Sequence, residues 1–189
     1  MATQYLAPQS ARLVLRAWDP GDLEALAEMH DNFAVMRHFP AMLTRAQSDA
    51  LAARWQAGLD EKGWGVWAVE LRETGEFLGA IGLAEPRFYC PDVPHAEVLW
   101  RLKRVVWGRG YASEGATACL DFGFEQLGLT EIVSFTALTN ARSKKVMERI
   151  GMQDAHEDFD HPALAPGHRL SRHCLYRITR QEWEARAQR

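Results

Sequence analysis

Apolar and polar positions follow one another along this chain in a readable order. Leu13-Val14-Leu15-Arg16 has the run of a short opening strand. Asp19-Pro20 then offers a cap and a first-turn proline to a helix over Asp22 to His30, where Leu23, Leu26 and Ala27 fall at helical spacing. Phe33 to Leu43 reads as a loop or short helix. A further helix is predicted from Ala46 to Leu59, with Thr44 as cap and Leu51, Trp55 and Leu59 on one face. Trp64 to Leu71 and Phe77 to Leu83 are strand-like runs joined by the turn Glu73-Thr74-Gly75-Glu76, so they form a hairpin. Arg87 to His95 holds Pro91 and Pro94 and reads as a loop before a strand from Ala96 to Leu102.

Gly108 and Gly110 then interrupt the chain. From Tyr111 onward, Ala112, Gly115, Ala116, Cys119, Leu120 and Gly123 give a helix with a small, closely packing face, ended by Leu127-Gly128-Leu129. Glu131 to Ala137 is rich in β-formers, and Asn140 to Ile150 is a helix closed by Gly151. Met152 to Asp158 and Ser171 to Thr179 read as two last strands around a loop at Pro162 to Gly167. Hairpins followed by strand-helix-strand-helix imply an α/β (α+β) sheet with helices on both faces, in one domain without repeats or linkers.

Composition narrows the classes. The 189 residues are 47% hydrophobic, enough for one sizeable core. Net charge is -3, which lacks the basic surplus of a nucleic-acid binder but leaves room for a local basic pocket for one phosphate group. Cys90, Cys119 and Cys174 are odd in number and unevenly spaced, against a disulfide framework and in keeping with a reducing cytosol. Met1 to Ser10 lacks a secretory pattern, and no apolar run approaches the about 18 residues of a membrane span, so a cytoplasmic protein with no membrane partner is expected. His156, His161, His168 and His173 match no closed zinc pattern, so no metal is expected; one of them could instead line an acceptor pocket. Cys119 falls on an apolar helix face, as a core residue does.

The chemistry-bearing segment is Trp107-Gly108-Arg109-Gly110-Tyr111-Ala112, between a predicted strand and a predicted helix. Backbone amides at a helix start lack acceptors, glycines let a pyrophosphate come close, and the helix dipole adds roughly half a positive charge. Arg109 adds a charged donor. The segment is not a Walker A loop, since Lys and Ser/Thr do not follow the second glycine, and the full dinucleotide fingerprint is missing too.

Trp107 to Glu114, followed by Asn140-Ala141-Arg142-Ser143 and then Glu148-Arg149-Ile150-Gly151-Met152, resembles the GNAT superfamily of N-acetyltransferases, over Arg12 to about Trp183. The opening Arg12-Leu13-Val14-Leu15-Arg16 and the closing His173-Cys174-Leu175-Tyr176-Arg177 resemble the branch of ribosomal-protein alanine acetyltransferases, the RimJ/RimL type. The resemblance implies a mixed, mostly antiparallel sheet of about seven strands, splayed at the cofactor site, with helices on both faces. It implies acetyl-CoA as cosubstrate and an amine as acceptor, from a peptide N-terminus or a small molecule. The strand Glu97 to Leu102 would bond the pantetheine arm as an added strand, with Leu102 and Arg104 nearest it. The pyrophosphate would sit on the amides of Trp107, Gly108, Arg109, Gly110, Tyr111 and Ala112, and Asn140 would approach the thioester. Arg142, Lys144 and Lys145 offer charge to the ribose phosphate, with Lys145 the residue assigned; a solvated helix face is the alternative.

Two positions depart from the family pattern. Val105 stands where a Gln or Arg is common, and Met147 where many members place the tyrosine that protonates the leaving thiolate. Glu97 is the candidate base, with an ordinary ion-paired glutamate as the alternative, and Ser143 the candidate acid, with helix capping as the alternative. Trp55, Trp64 and Phe33 are either acceptor-pocket walls or core. A CoA-binding module without efficient catalysis is the other class the residues allow, and monomer or homodimer stays open.

Overall fold

Leu13–Arg16 (β1) alternates buried and half-buried positions, as a strand with one covered face must. The computed structural model describes residues 6–86 and 96–187; the predicted loop Arg87 to His95, with Cys90, and the first residues of the N-terminus lie outside them. After β1 come the helices Asp22–His30 (α1), Phe33–Met36 (α2) and Arg45–Lys62 (α3), then the strands Val66–Leu71 (β2), Phe77–Ala84 (β3) and Ala96–Leu102 (β4). Tyr111–Glu125 (α4), Glu131–Ala137 (β5) and Ala141–Arg149 (α5) follow. Gln153–Asp154 (β6), Phe159–Asp160 (β7), Arg172–Thr179 (β8) and Arg180–Ala187 (α6) complete the chain.

The strands form one sheet in the order β1-β2-β3-β4-β5-β8-β6, with β7 also paired to β8. Every pairing is antiparallel except β4 with β5. The α4 helix lies on one face, and its small residues set how close it comes. A Cβ on Gly115 would fall 2.5 Å from Ile81 Cδ1, and one on Gly123 2.7 Å from Ile132 Cδ1. Leu13, Trp67, Ile81, Leu83 and Met147 of α5 share the core on this face. On the other face Leu26 and Met29 of α1 and Ala52 of α3 pack over Ala68 and Phe77.

The sheet has eight strands among the described residues, in line with the about seven expected, but several details need correction. The strand expected over Met152 to Asp158 is only Gln153–Asp154, because His156 takes a positive φ of 56° while its amide donates to Asp154 Oδ1 (2.8 Å), turning the chain before β7. Asp19 does not cap α1: the cap position is Gly21, without a side-chain bond, and Asp22 instead pairs with Arg16 (2.7 Å). Thr44 does cap α3, in a reciprocal box with Gln47. The last helix, α6, was absent from the sequence reading; Trp183 anchors it on Phe124 (5.3 Å) and donates to Asp121 Oδ1 (2.7 Å).

Candidate active site

Beyond β4 the chain makes a single 3-10 turn, Arg104–Val106, and reaches the glycine pair. Gly108 (φ 80°) and Gly110 (φ 84°) both adopt the left-handed backbone that side chains resist. The first backbone bond of α4 runs from Glu114 N to Gly110 O (3.0 Å), so the amides of Tyr111, Ala112 and Ser113 have no acceptor within the helix. Nothing lies within 4 Å of a Cβ built on Gly108, which leaves the turn open to an approaching group. This is an anion site in form: free amides, a helix dipole and open space.

Its side chains are basic. Arg104 and Arg142 place their guanidinium carbons 4.9 and 4.8 Å from the Trp107 ring centroid, and Arg109 is exposed. Thus Arg142 of α5 lies beside the turn, whereas Lys145 stands exposed further along the helix. Trp107 Nε1 donates to Leu102 O (2.9 Å), so that carbonyl is already used to lock the turn. Val105 is 71% exposed and adds no polar group.

Arg12, on the residue before β1, fixes the turn from outside. Its Nη2 donates to Arg109 O (3.2 Å), its guanidinium lies 4.6 Å from the Tyr111 ring centroid, and its Nε pairs with Glu114 Oε2 (2.6 Å). Burial alone would raise the Glu114 carboxyl. The Ser10 hydroxyl (2.6 Å), the Arg12 amide (2.7 Å) and the Arg12 guanidinium outweigh it, and hold the carboxyl below its usual range. Arg12→Met is expected to cost about 1 kcal/mol in denaturant unfolding, the range for a partly exposed pair, and to weaken acetyl-CoA binding several-fold in titration.

The strand before the turn parts from its neighbour. Pairing of β4 with β5 stops after Ala96↔Ile132 and Glu97↔Val133, while β3 stays on β4 through Leu102 and β8 on β5 through Ala137. Ser134 Oγ, donating to Val98 O (2.9 Å), marks the fork. The β5-facing edge of Leu99 to Leu102 is therefore unpaired with that strand, the splay expected at the cofactor site. Glu97 stands at the last pair, on the face opposite α4. It is half-buried, no described residue hydrogen-bonds its carboxyl, and burial pushes that group up to about 8.

Across the fork, Asn140 caps α5. Its Oδ1 accepts from Ser143 N (3.3 Å), and its Nδ2 donates to Thr136 Oγ1 (2.9 Å) and to Ser143 Oγ (3.0 Å). Both amide hydrogens are thus engaged within the protein. Ser143 is half-buried and serves the cap, with its hydroxyl hydrogen still available to donate. Met147 is 1% exposed and packs in the core.

On the Glu97 face, Phe135, Phe159, His161 and His173 form an aromatic cluster; the two imidazoles lie 4.9 Å apart. Burial lowers the pKa of both, so they are neutral at pH 7. Trp55 stacks on Trp18 (5.2 Å), Trp64 packs against the core, and Phe33 is exposed. Cys119 is fully buried, and burial drives its thiol far above the usual value. Among the described residues no group of three or more His, Cys, Asp or Glu could hold a metal ion, and no helix is long and apolar enough to cross a membrane.

Residues 12–153 match the family model described as "Acetyltransferase (GNAT) domain". The chain is 28% identical over 174 residues to the uncharacterized N-acetyltransferase YnaD of Bacillus subtilis, covering 91% of this chain and 96% of that one. It is 34% identical over 127 residues to the FsC-acetyl coenzyme A-N(2)-transacetylase of Aspergillus fumigatus, 64% of this chain. The chain spans about half the length of that relative (52%) and of the Bacillus subtilis protein YkkB (54%). A solved acetyltransferase of the GNAT family from Bacillus anthracis superposes with a TM-score of 0.78 over 93% of this chain and 99% of that one; at 24% identity it speaks for the fold. With the family model covering most of its length, the chain belongs to the GNAT acetyltransferase family.

Proposed function

We propose that this protein transfers the acetyl group of acetyl-CoA to a primary amine by direct attack. The observation that carries the reading is the coincidence of a fork between β4 and β5 with an open, arginine-flanked helix start at the end of the same strand. The amides of Tyr111, Ala112 and Ser113, with Arg104, Arg109 and Arg142 nearby, hold the pyrophosphate. The edge of Leu99 to Arg101, left unpaired by β5, takes the pantetheine amides as an extra strand would, short of Leu102, whose carbonyl Trp107 already uses. The amine attacks the thioester carbonyl, its proton passes to Glu97 directly or through water, and the thiolate leaves, with the Ser143 hydroxyl as proton donor. The raised Glu97 carboxyl suits a group that must accept a proton near neutral pH.

For the acceptor, the opening Arg12 to Arg16 and closing His173 to Arg177 favour a protein N-terminal amine, as in the RimJ/RimL branch. An α-amine, with a pKa of about 7.7 to 8.0, is partly neutral at cell pH and needs only modest base catalysis. A small-molecule amine is the second reading, favoured by the similarity to a transacetylase named for one acceptor.

The test is calorimetric titration with acetyl-CoA, with ATP and NAD as controls. Saturable binding of acetyl-CoA alone is the expected result, followed by thiol release in the presence of amines. No binding would leave the chain with the fold and not the activity. Binding without thiol release from any amine would favour a CoA-binding module instead.

A further inference from the structure

Arg101 is the least explained charge in the molecule. It leaves β4 on the same face as Glu97, four residues further along, toward α1 and the segment after α2. Its guanidinium carbon lies over the Phe39 ring, 3.8 Å from the centroid, and its Nη1 donates to His30 Nε2 (2.8 Å). With Nε2 accepting, His30 carries its hydrogen on Nδ1 and donates it to Ser48 Oγ (2.8 Å). Arg101 Nε is buried with no hydrogen-bond partner, and no carboxylate among the described residues pairs with the guanidinium.

A cation held this way is expensive. Removing a guanidinium from water costs several kcal/mol unless an anion and further hydrogen bonds offset it. Here the one acceptor among the described residues is a neutral imidazole: burial first, and Arg101 second, lower His30 to about 4. Burial also lowers Arg101 itself, to about 10, which still leaves it charged at pH 7. Arg16, by contrast, bonds both Asp22 and Glu70, Arg12 bonds Glu114, and Arg72 bonds three backbone carbonyls. Arg101 has the rigid support of such residues, with Phe39 on one side and a Ser48–His30 brace, but no counter-ion among the described residues.

We infer that the guanidinium of Arg101 receives a carboxylate on the acceptor, so that the amine substrate is itself an anion-bearing molecule. This rests on the acetyltransferase reading above. Arg101 as a residue keeps part of its surface exposed although its Nε does not, and it shares its face of β4 with Glu97 at the mouth of the fork. A molecule whose amine meets Glu97 can extend a carboxylate toward Arg101 without crossing the sheet. Its position also separates it from the cosubstrate: the phosphate turn is formed at the start of α4, which packs on the opposite face. Polyamines fit poorly, because their second ammonium would meet a second fixed cation. The carboxylate can belong to a free amino acid-like amine or to an acidic side chain near a peptide N-terminus.

Matched acceptor pairs test this. Thiol release would be measured with β-alanine against its amide, glutamate against glutamine, and Ser-Asp- against Ser-Asn- peptides, with spermidine as the cationic comparison. The expected result is a preference of roughly ten- to a hundredfold in kcat/KM for a carboxylate form, the span of one charge-assisted hydrogen bond. Which pair shows it identifies the source of the carboxylate. Arg101→Met should abolish the preference mainly through the acceptor KM. Arg101→Lys, which keeps the charge and guards against a folding defect in the first variant, should retain part of it. Equal rates within every pair, faster turnover of spermidine, or a preference that survives Arg101→Met would overturn the inference. Acetyl-CoA binding with no turnover of any carboxylate-bearing amine would also overturn it while sparing the cofactor reading. Absence of acetyl-CoA binding removes that reading, and this inference with it.

Discussion

Gly110→Asp is expected to reduce acetyl-CoA affinity by two orders of magnitude or more while the protein remains folded. The substitution puts a carboxylate at the N-cap of α4, against the amides of Tyr111 to Ser113 that the pyrophosphate needs. Two charges about 4 Å apart near a protein surface interact by about 4 kcal/mol, equivalent to roughly a thousandfold. The backbone cost is smaller: φ at Gly110 is +84°, a conformation that costs an ordinary residue about 1–2 kcal/mol and Asp less than most. A Cβ there would sit 3.4 Å from Arg12 Nη2, the flexible end of a side chain, so no packing barrier is added. Gly110→Ala separates the two effects, since it carries the strain without the charge. Calorimetry and far-UV circular dichroism on both variants check the prediction; an Asp variant that binds as well as wild type would refute the assignment of the turn.

The second large effect concerns Glu97. Glu97→Gln should lower the rate of acetyl transfer by about 10²- to 10⁴-fold, the usual span for a lost general base, and leave acetyl-CoA affinity unchanged. The pH profile is more telling than the rate. With its carboxyl pushed up to about 8, wild-type activity should rise through that value as Glu97 ionises, and the inflection should vanish in the Gln variant. An inflection that persists belongs to the acceptor amine and removes Glu97 from the chemistry. Stability should run the opposite way. A carboxyl raised on folding binds its proton more tightly in the native state than in the unfolded one, so between pH 4.5 and 8 the native state holds more protons. Its contribution is full at low pH and is lost as pH rises toward 8, and Glu97→Gln should flatten that part of the unfolding profile.

Local signals place the glycine turn, the Thr44 cap and the small face of α4 correctly, because each is set by residues close in sequence. The strand-helix alternation likewise located β4, α4, β5 and α5 to within a few residues. Contacts distant in sequence were not legible. The Arg12–Glu114 clamp joins positions 102 residues apart, and nothing near Arg12 distinguishes it from a surface arginine. Arg101 read as one residue of a strand; only the fold brings His30 and Phe39 to it. The α6 helix escaped because Arg180 to Ala187 is polar almost throughout, and one tryptophan does the anchoring. The family resemblance singles out Asn140 and its spacing from there singles out Ser143, but neither signal reveals that each is the other's hydrogen-bond partner.

The placement of β1 gives the phosphate turn an unusual dependency. Among the described residues β1 is the outermost strand on its side of the sheet, paired along its length with β2 and bridged on its free side by Gln9 at Val14 alone, and weakly held segments are where native structures fray first. Arg12 ties the base of that strand to the carbonyl of Arg109. Seating of the edge and occupancy of the turn therefore draw on one shared free energy. On the proposed reading of the turn, a bound pyrophosphate should slow the peeling of β1 from the sheet, and a chain trimmed past Arg12 should give up cosubstrate affinity along with its border.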